Sequence, residues 1–178
     1  MKGPNLVRAS RAANTLLAKR GVTAPPVNVR QLAELEGITF DVAELDHSAP
    51  GFRLWYPERH LLVLNTLHDV VHQRFMIAHA LGQHLLDSSF EDIVIYDTLE
   101  YFSLTPIEGL PSIFATPNLE ANAFAEAVLM PKAFLDRDFD EWRVDVHDDA
   151  GMRKLANRYQ VTVAALTLRL MRLRMLCG

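Results

Sequence analysis

The chain is built around Asp69-Val-Val-His-Gln-Arg-Phe-Met-Ile-Ala-His-Ala-Leu-Gly-Gln-His-Leu-Leu-Asp87. Val71, Phe75, Ala78, Leu81 and Leu85 recur every three or four residues, the spacing of an amphipathic helix. Thr66 is an N-cap candidate, with Asp69 three residues on in the place of a capping-box acid. Immediately upstream, Gly51-Phe-Arg-Leu-Trp-Tyr56 and His60-Leu-Leu-Val-Leu-Asn65 flank Pro57-Glu58-Arg59. Two short strands around a proline-containing turn predict a β-hairpin whose second strand runs into the helix.

Further towards the N-terminus, residues 5 to 20 carry Leu6, Ala9, Ala13, Leu16 and Leu17 at helical spacing, with Gly21 as a stop. Ala24-Pro-Pro-Val27 is an extended connector, because proline blocks helix continuation and restricts its predecessor. Asn28 to Gly37 predicts a short capped helix, and Ile38 to Val42 alternates as a half-buried strand does. Downstream, residues 88 to 115 are irregular and aromatic and predict a long loop. Thr116-Pro117 starts a helix that ends at Pro131, with proline suited to the first helical position. Asp148 and Thr162 can cap two last helices, to about Tyr159 and about Met175, joined by a turn at Gln160 as in a helix-turn-helix.

At 178 residues the chain suits one domain with a small appendage. A hydrophobic share of 49% with 22% charged residues is that of an ordinary globular protein. There is no apolar run of membrane-spanning length and no signal-peptide core, and the lone Cys177 excludes an internal disulfide. A cytoplasmic protein is expected. From Gly151 onwards there are six basic residues and no acid, so the total of −4 leaves −10 on the first 150 residues. An acidic run from Asp136 to Asp149 lies just before the switch, which suggests two regions that attract each other or a basic end that meets an acidic partner.

His79-Ala-Leu-Gly-Gln83 has the frame of His-Glu-x-x-His, with alanine at 80 and glutamine at 83. That motif sets two imidazoles four residues apart on one helical face, where both reach one zinc, with the glutamate as general base. Downstream, Glu120-Ala-Asn-Ala-Phe-Ala-Glu-Ala-Val-Leu-Met-Pro131 forms a second block. Together with Pro25-Pro-Val and its short helix, the hairpin, and Arg74 to Leu86, these blocks resemble the ImmA/IrrE family of zinc metallopeptidase-like proteins over residues 10 to 135. Members of that family cleave or otherwise inactivate helix-turn-helix repressors of phages, mobile elements or stress responses. The resemblance implies metal ligands at His79, Gln83 and Glu120, the catalytic glutamate at position 80, and His79 facing Glu120 across two packed helices.

Gln83 lies about 40° round the helix from His79, so the two share a face. Its amide oxygen is a neutral donor, whereas zinc selects imidazole, thiolate and carboxylate, so zinc is expected to bind weakly or not at all. His84 is about 140° away and only a π-bulge would bring it round. Ala80 has no proton-transfer chemistry, a loss worth roughly 10²–10⁴ in rate. Either the protein is a natural pseudoenzyme or the alanine is an inactivating substitution; the glutamine at 83 favours the first.

The expected fold is α+β: a small antiparallel sheet with a hairpin, the 69–87 and 117–130 helices packed on it, and a metallopeptidase-like domain over 1–144. A helix-turn-helix-like segment follows over 145–178. The hairpin is expected to supply an exposed edge, with Phe52, Leu54 and Tyr56 binding a partner as an added strand. That partner is expected to be a helix-turn-helix regulator. Three functions remain open: a non-cutting regulator, a true zinc endopeptidase changed at position 80, or a DNA-binding accessory using Arg169 and Arg172. The leucines around those arginines (Leu166, Leu168, Leu170, Leu173) imply that the tail packs on the core instead.

Overall fold

A computed structural model describes residues 4–47, 49–56, 59–86, 93–95, 115–142 and 148–175, with the backbone alone for 93–95 and 115–118. The side chain of Asn5 accepts from Arg8 N and caps α1 (Leu6–Lys19). Ala9, Ala13, Leu16 and Leu17 form the buried stripe of this helix. Gly21 then adopts φ 66°, the left-handed conformation that glycine takes most cheaply. Asn28 caps α2 (Val29–Leu35) through Gln31 N.

β1 (Ile38–Ala43), β2 (Gly51–Tyr56), β3 (Arg59–Asn65) and a three-residue β4 (Ile93–Ile95) make one sheet in the order β1-β3-β2-β4. The sheet is mixed, which corrects the antiparallel expectation: β1 runs parallel to β3, from Ile38↔His60 to Ala43↔Asn65. The segment after β1 carries the chain past one strand position, and the β2–β3 hairpin then returns β3 into the gap. Buried Asn65 holds that segment. Its Oδ1 accepts from Leu45 N and Leu67 N, and its Nδ2 donates to the carbonyls of Asp46 and Ala49.

β2 is not an open edge, which corrects a second expectation. Phe52, Arg53 and Leu54 pair antiparallel with Ile95, Val94 and Ile93. The stretch read as loop thus contributes a strand; the remainder of 88–115, apart from Ala115, lies outside the described residues. Gly51 is required by a close approach: a Cβ there would sit 2.2 Å from Val63 O and 2.3 Å from Met76 Cε.

Asp69, not Thr66, caps α3 (Val70–Leu86), its Oδ1 accepting from His72 N at 2.9 Å. Every residue from Phe75 to Gln83 is buried, while Leu85 is exposed. The helix is therefore surrounded on all sides rather than amphipathic. α4 (Ala115–Leu129) starts just before the expected Thr116-Pro117 and lies against α3 and α1, forming a layer behind α3 rather than on the sheet. Gly82 permits this approach, since a Cβ there would meet Phe124 Cβ and Cδ1 at 3.0 Å and Ala121 O at 3.1 Å.

Pro131 stops α4 and is followed by α5 (Lys132–Trp142), a helix the periodicity did not reveal. α6 (Asp149–Tyr159) and α7 (Val163–Arg172) are capped by Asp148 and Thr162, and Gln160 turns between them at φ 52°. Met152, Leu155, Tyr159, Leu166 and Leu170 share one core with Phe124, Leu129 and Leu135. Among the described residues no helix is long and apolar enough to cross a membrane.

Candidate functional site

The middle of α3 carries the frame noted in the sequence. His79 is 2% exposed, and its Nδ1 lies 2.7 Å from Oδ1 of Asn122 on α4. Because the asparagine presents its oxygen, Nδ1 carries the proton and the lone pair lies on Nε2, the tautomer of a metal-ligating histidine. Asn122 was quoted in the sequence block but given no role there.

One turn further on, Gln83 Oε1 accepts from Arg53 Nη1 at 3.0 Å. Arg53 comes from β2, where the alternation sends Gly51, Arg53 and Trp55 towards α3 and leaves Phe52, Leu54 and Tyr56 on the opposite side. The guanidinium lies over the Trp55 ring, 3.8 Å from its centre, and the residue is only 3% exposed. Burying such a charge costs several kcal/mol. One hydrogen bond involving a charged group returns about 1.5–3 kcal/mol, and a desolvated cation–π contact about 2 kcal/mol. Among the described residues no carboxylate neutralises Arg53, and its Nε–H is buried without an acceptor.

Glu120 faces elsewhere. Its carboxylate accepts from Asn5 N at 2.7 Å and from Arg8 Nη1 at 3.4 Å, while Arg8 Nη2 donates to Leu86 O. Residues 120 and 122 are about 200° apart on a helix. With Asn122 turned to His79, Glu120 is turned to α1, so the facing pair across the two helices is His79–Asn122 and not His79–Glu120. Ala80 is fully buried and brings no titratable group.

Zinc, the metal implied by the motif, does not fit this set of donors. One imidazole is correctly oriented, but the amide at 83 already accepts from a fixed cation, which would repel a dication, and Glu120 serves α1. Among the described residues no group of three or more His, Cys, Asp or Glu side chains is gathered to hold a metal.

Beside Arg53 lies a group of three rings. Trp55 and His60 have ring centres 5.1 Å apart, Trp55 and His84 5.5 Å, and His60 and His84 4.6 Å. α3 stays a regular α-helix, so His84 packs here and does not rotate towards His79. Burial lowers the pKa of both histidines; Arg53 lowers that of His60 further, and His60 and Arg53 do the same to His84 against the opposing pull of Glu36. The sequence reading missed Arg53, Trp55 and His60. The signal for them was the period-two alternation of the strand, which puts Arg53 and Trp55 on the helix side whenever Phe52 and Leu54 face away.

The two arginines singled out in the tail, Arg169 and Arg172, are occupied inside the molecule. Arg169 Nε donates to Met130 O at 3.2 Å, and Arg172 Nη1 is bonded to Glu126. Burial pushes the Glu126 carboxyl up, opposed by Arg172 and Arg169. Asp138, fully buried, accepts from Arg158 Nε at 2.7 Å and from Tyr159 Oη at 2.8 Å. Acidic run and basic tail thus attract each other within one chain.

The family model described as the IrrE N-terminal-like domain (Peptidase_M78) matches residues 37–171. A solved structure of a Mycobacterium tuberculosis transcriptional regulator is similar at a TM-score of 0.64 and 21% identity, covering 92% of this chain and 46% of that one. This chain spans about half the length of that regulator, and the likeness shows a shared fold. No curated protein matches the sequence.

Proposed function

The chain belongs to the IrrE N-terminal-like family of metallopeptidase-related domains, and from that premise we propose a cytoplasmic regulator that binds a helix-turn-helix protein without cutting it. The family is generally zinc-dependent. The observation that carries the reading is the Arg53–Gln83 pair: a protein cation has taken up the second ligand position, beside an alanine where the general base would stand. A true peptidase silenced by one substitution at position 80 would need neither Gln83 nor its arginine. A DNA-binding tail is disfavoured by the internal bonds of Arg169 and Arg172. That the structural neighbour is a transcriptional regulator agrees with the proposal.

The partner would engage β2, using Phe52, Leu54 and the exposed Tyr56. Added-strand recognition uses backbone hydrogen bonds and side-chain pockets, neither of which needs residues 80 or 83. A partner strand must first displace the three-residue β4 from Phe52–Leu54, an exchange that loses little pairing.

The test is capture of a purified helix-turn-helix regulator encoded beside this chain. Phe52→Asp or Leu54→Asp should abolish capture, while Leu168→Ser with Met171→Ser, on the exposed face of α7, should leave it intact. The regulator should remain uncut with added zinc or manganese. Cleavage by the chain as it stands, or capture lost only in the α7 variant, would overturn the proposal.

A further inference from the structure

We propose that Arg53 is a receptor for a carboxylate, supplied by an acidic side chain of the peptide segment that pairs with β2. The inference rests on the partner-binding reading above and names what that site recognises. A guanidinium offers five N–H donors in a planar fork matched to a carboxylate. Arg53 is buried, yet among the described residues it spends one donor, on the neutral amide of Gln83, and its Nε–H is unsatisfied. Buried charges are ordinarily paired. Here the surroundings are a tryptophan face with the rings of His60 and His84 beside it, and among the described residues no carboxylate supplies a counter-charge.

The neighbouring geometry presents the fork rather than tying it up. Trp55 supports one face of the guanidinium and Gln83 fixes one Nη, which sets the plane. The Nε–H is buried without an acceptor, and displacing β4 from Phe52–Leu54 is what would open it to a ligand. Arg53 also lies on the strand segment paired with β4, between Phe52 and Leu54. An added strand on β2 would therefore carry a side chain past this edge at every second residue. A glutamate or aspartate at that register position gains a charge-assisted, bidentate contact that glutamine or asparagine cannot match.

The full chain, labelled with ¹⁵N-arginine, permits a direct test through the Arg53 Nε–Hε resonance, assigned by its absence in Arg53→Lys. The probes are acetyl-Val-Glu-Val-amide, acetyl-Val-Gln-Val-amide and sodium glutarate. The glutamate peptide should shift the resonance saturably and bind at least about tenfold more tightly than the glutamine peptide. Gln83→Glu gives the guanidinium an internal carboxylate and should abolish the response while raising the melting temperature. Equal response to both peptides, or none to either, would overturn the assignment. Glutarate binding as tightly as the glutamate peptide would keep the carboxylate site and give it to a free small acid. Peptide discrimination at Arg53 alongside regulator capture that ignores Phe52→Asp would preserve this site and defeat the partner reading. Capture that needs Phe52, without acid–amide discrimination, would do the opposite.

Discussion

Arg53 on β2 and Gln83 on α3 are joined by a 3.0 Å hydrogen bond, so a guanidinium sits against the position where the family motif has its second histidine. Two changes are therefore needed to recover a metal site, one at the ligand and one at the cation. Gln83→His alone should bind zinc poorly, whereas Gln83→His with Arg53→Gln should bind at least about tenfold more tightly, each 1.4 kcal/mol of relieved repulsion being a factor of ten. Zinc titration by calorimetry at neutral pH measures the difference. Equal affinity in the two variants would mean that the guanidinium is not what keeps zinc out.

The close contact of α3 and α4 depends on Gly82. A methyl group there must displace Phe124 and press on Ala121 O, all within 3.1 Å. Gly82→Ala should destabilise the fold by about 1–3 kcal/mol, the usual cost of overpacking, despite the better helix propensity of alanine. Urea unfolding measures it, and a neutral or stabilised variant would show that the two helices can move apart at little cost.

Acid should weaken the fold through His60 and His84. Their folded pKa values lie below the ordinary 6.5, owing first to burial. Between the folded and unfolded values the unfolded chain binds more protons, so stability rises with pH in that window. The contribution is complete above about pH 6.5 and is lost progressively below it. Urea midpoints at pH 7.5 and 5.5 should differ, and His60→Gln with His84→Gln should narrow that difference. An unchanged pH dependence in the double variant would assign the acid sensitivity to other groups.

The tail is held to the body by buried charge. Asp138 is fully buried and bonded by both Arg158 and Tyr159, and burial together with that carboxylate raises the phenol pKa beyond its ordinary range. Asp138→Ala leaves the buried Tyr159 hydroxyl without its acceptor and the half-exposed Arg158 without its partner, and should cost about 1–3 kcal/mol, the usual cost of an unsatisfied buried donor. Thermal unfolding with near-ultraviolet circular dichroism, which reports on Tyr159 and Trp142, would follow the loss. Wild-type stability in this variant would mean that α6 is held by its apolar face alone.

The sequence by itself determined what depends on neighbours a few residues apart. The Asn28, Asp148 and Thr162 caps, the β2–β3 hairpin, the helix holding His79 and Gln83, and the missing base at position 80 could all be read from spacing and residue type, because caps, turns and periodic faces are local. Tertiary structure alone decided which groups meet. It brought Ile93–Ile95 onto the outer edge of β2, surrounded α3 until its apolar stripe ceased to define a face, and gave His79 to Asn122 and Glu120 to Arg8. It also set Arg53, an unremarkable strand residue in the sequence, against Gln83 thirty positions away. A pairing over that separation is fixed by how a strand register and a helix rotation coincide in space, and neither quantity is carried by any local pattern.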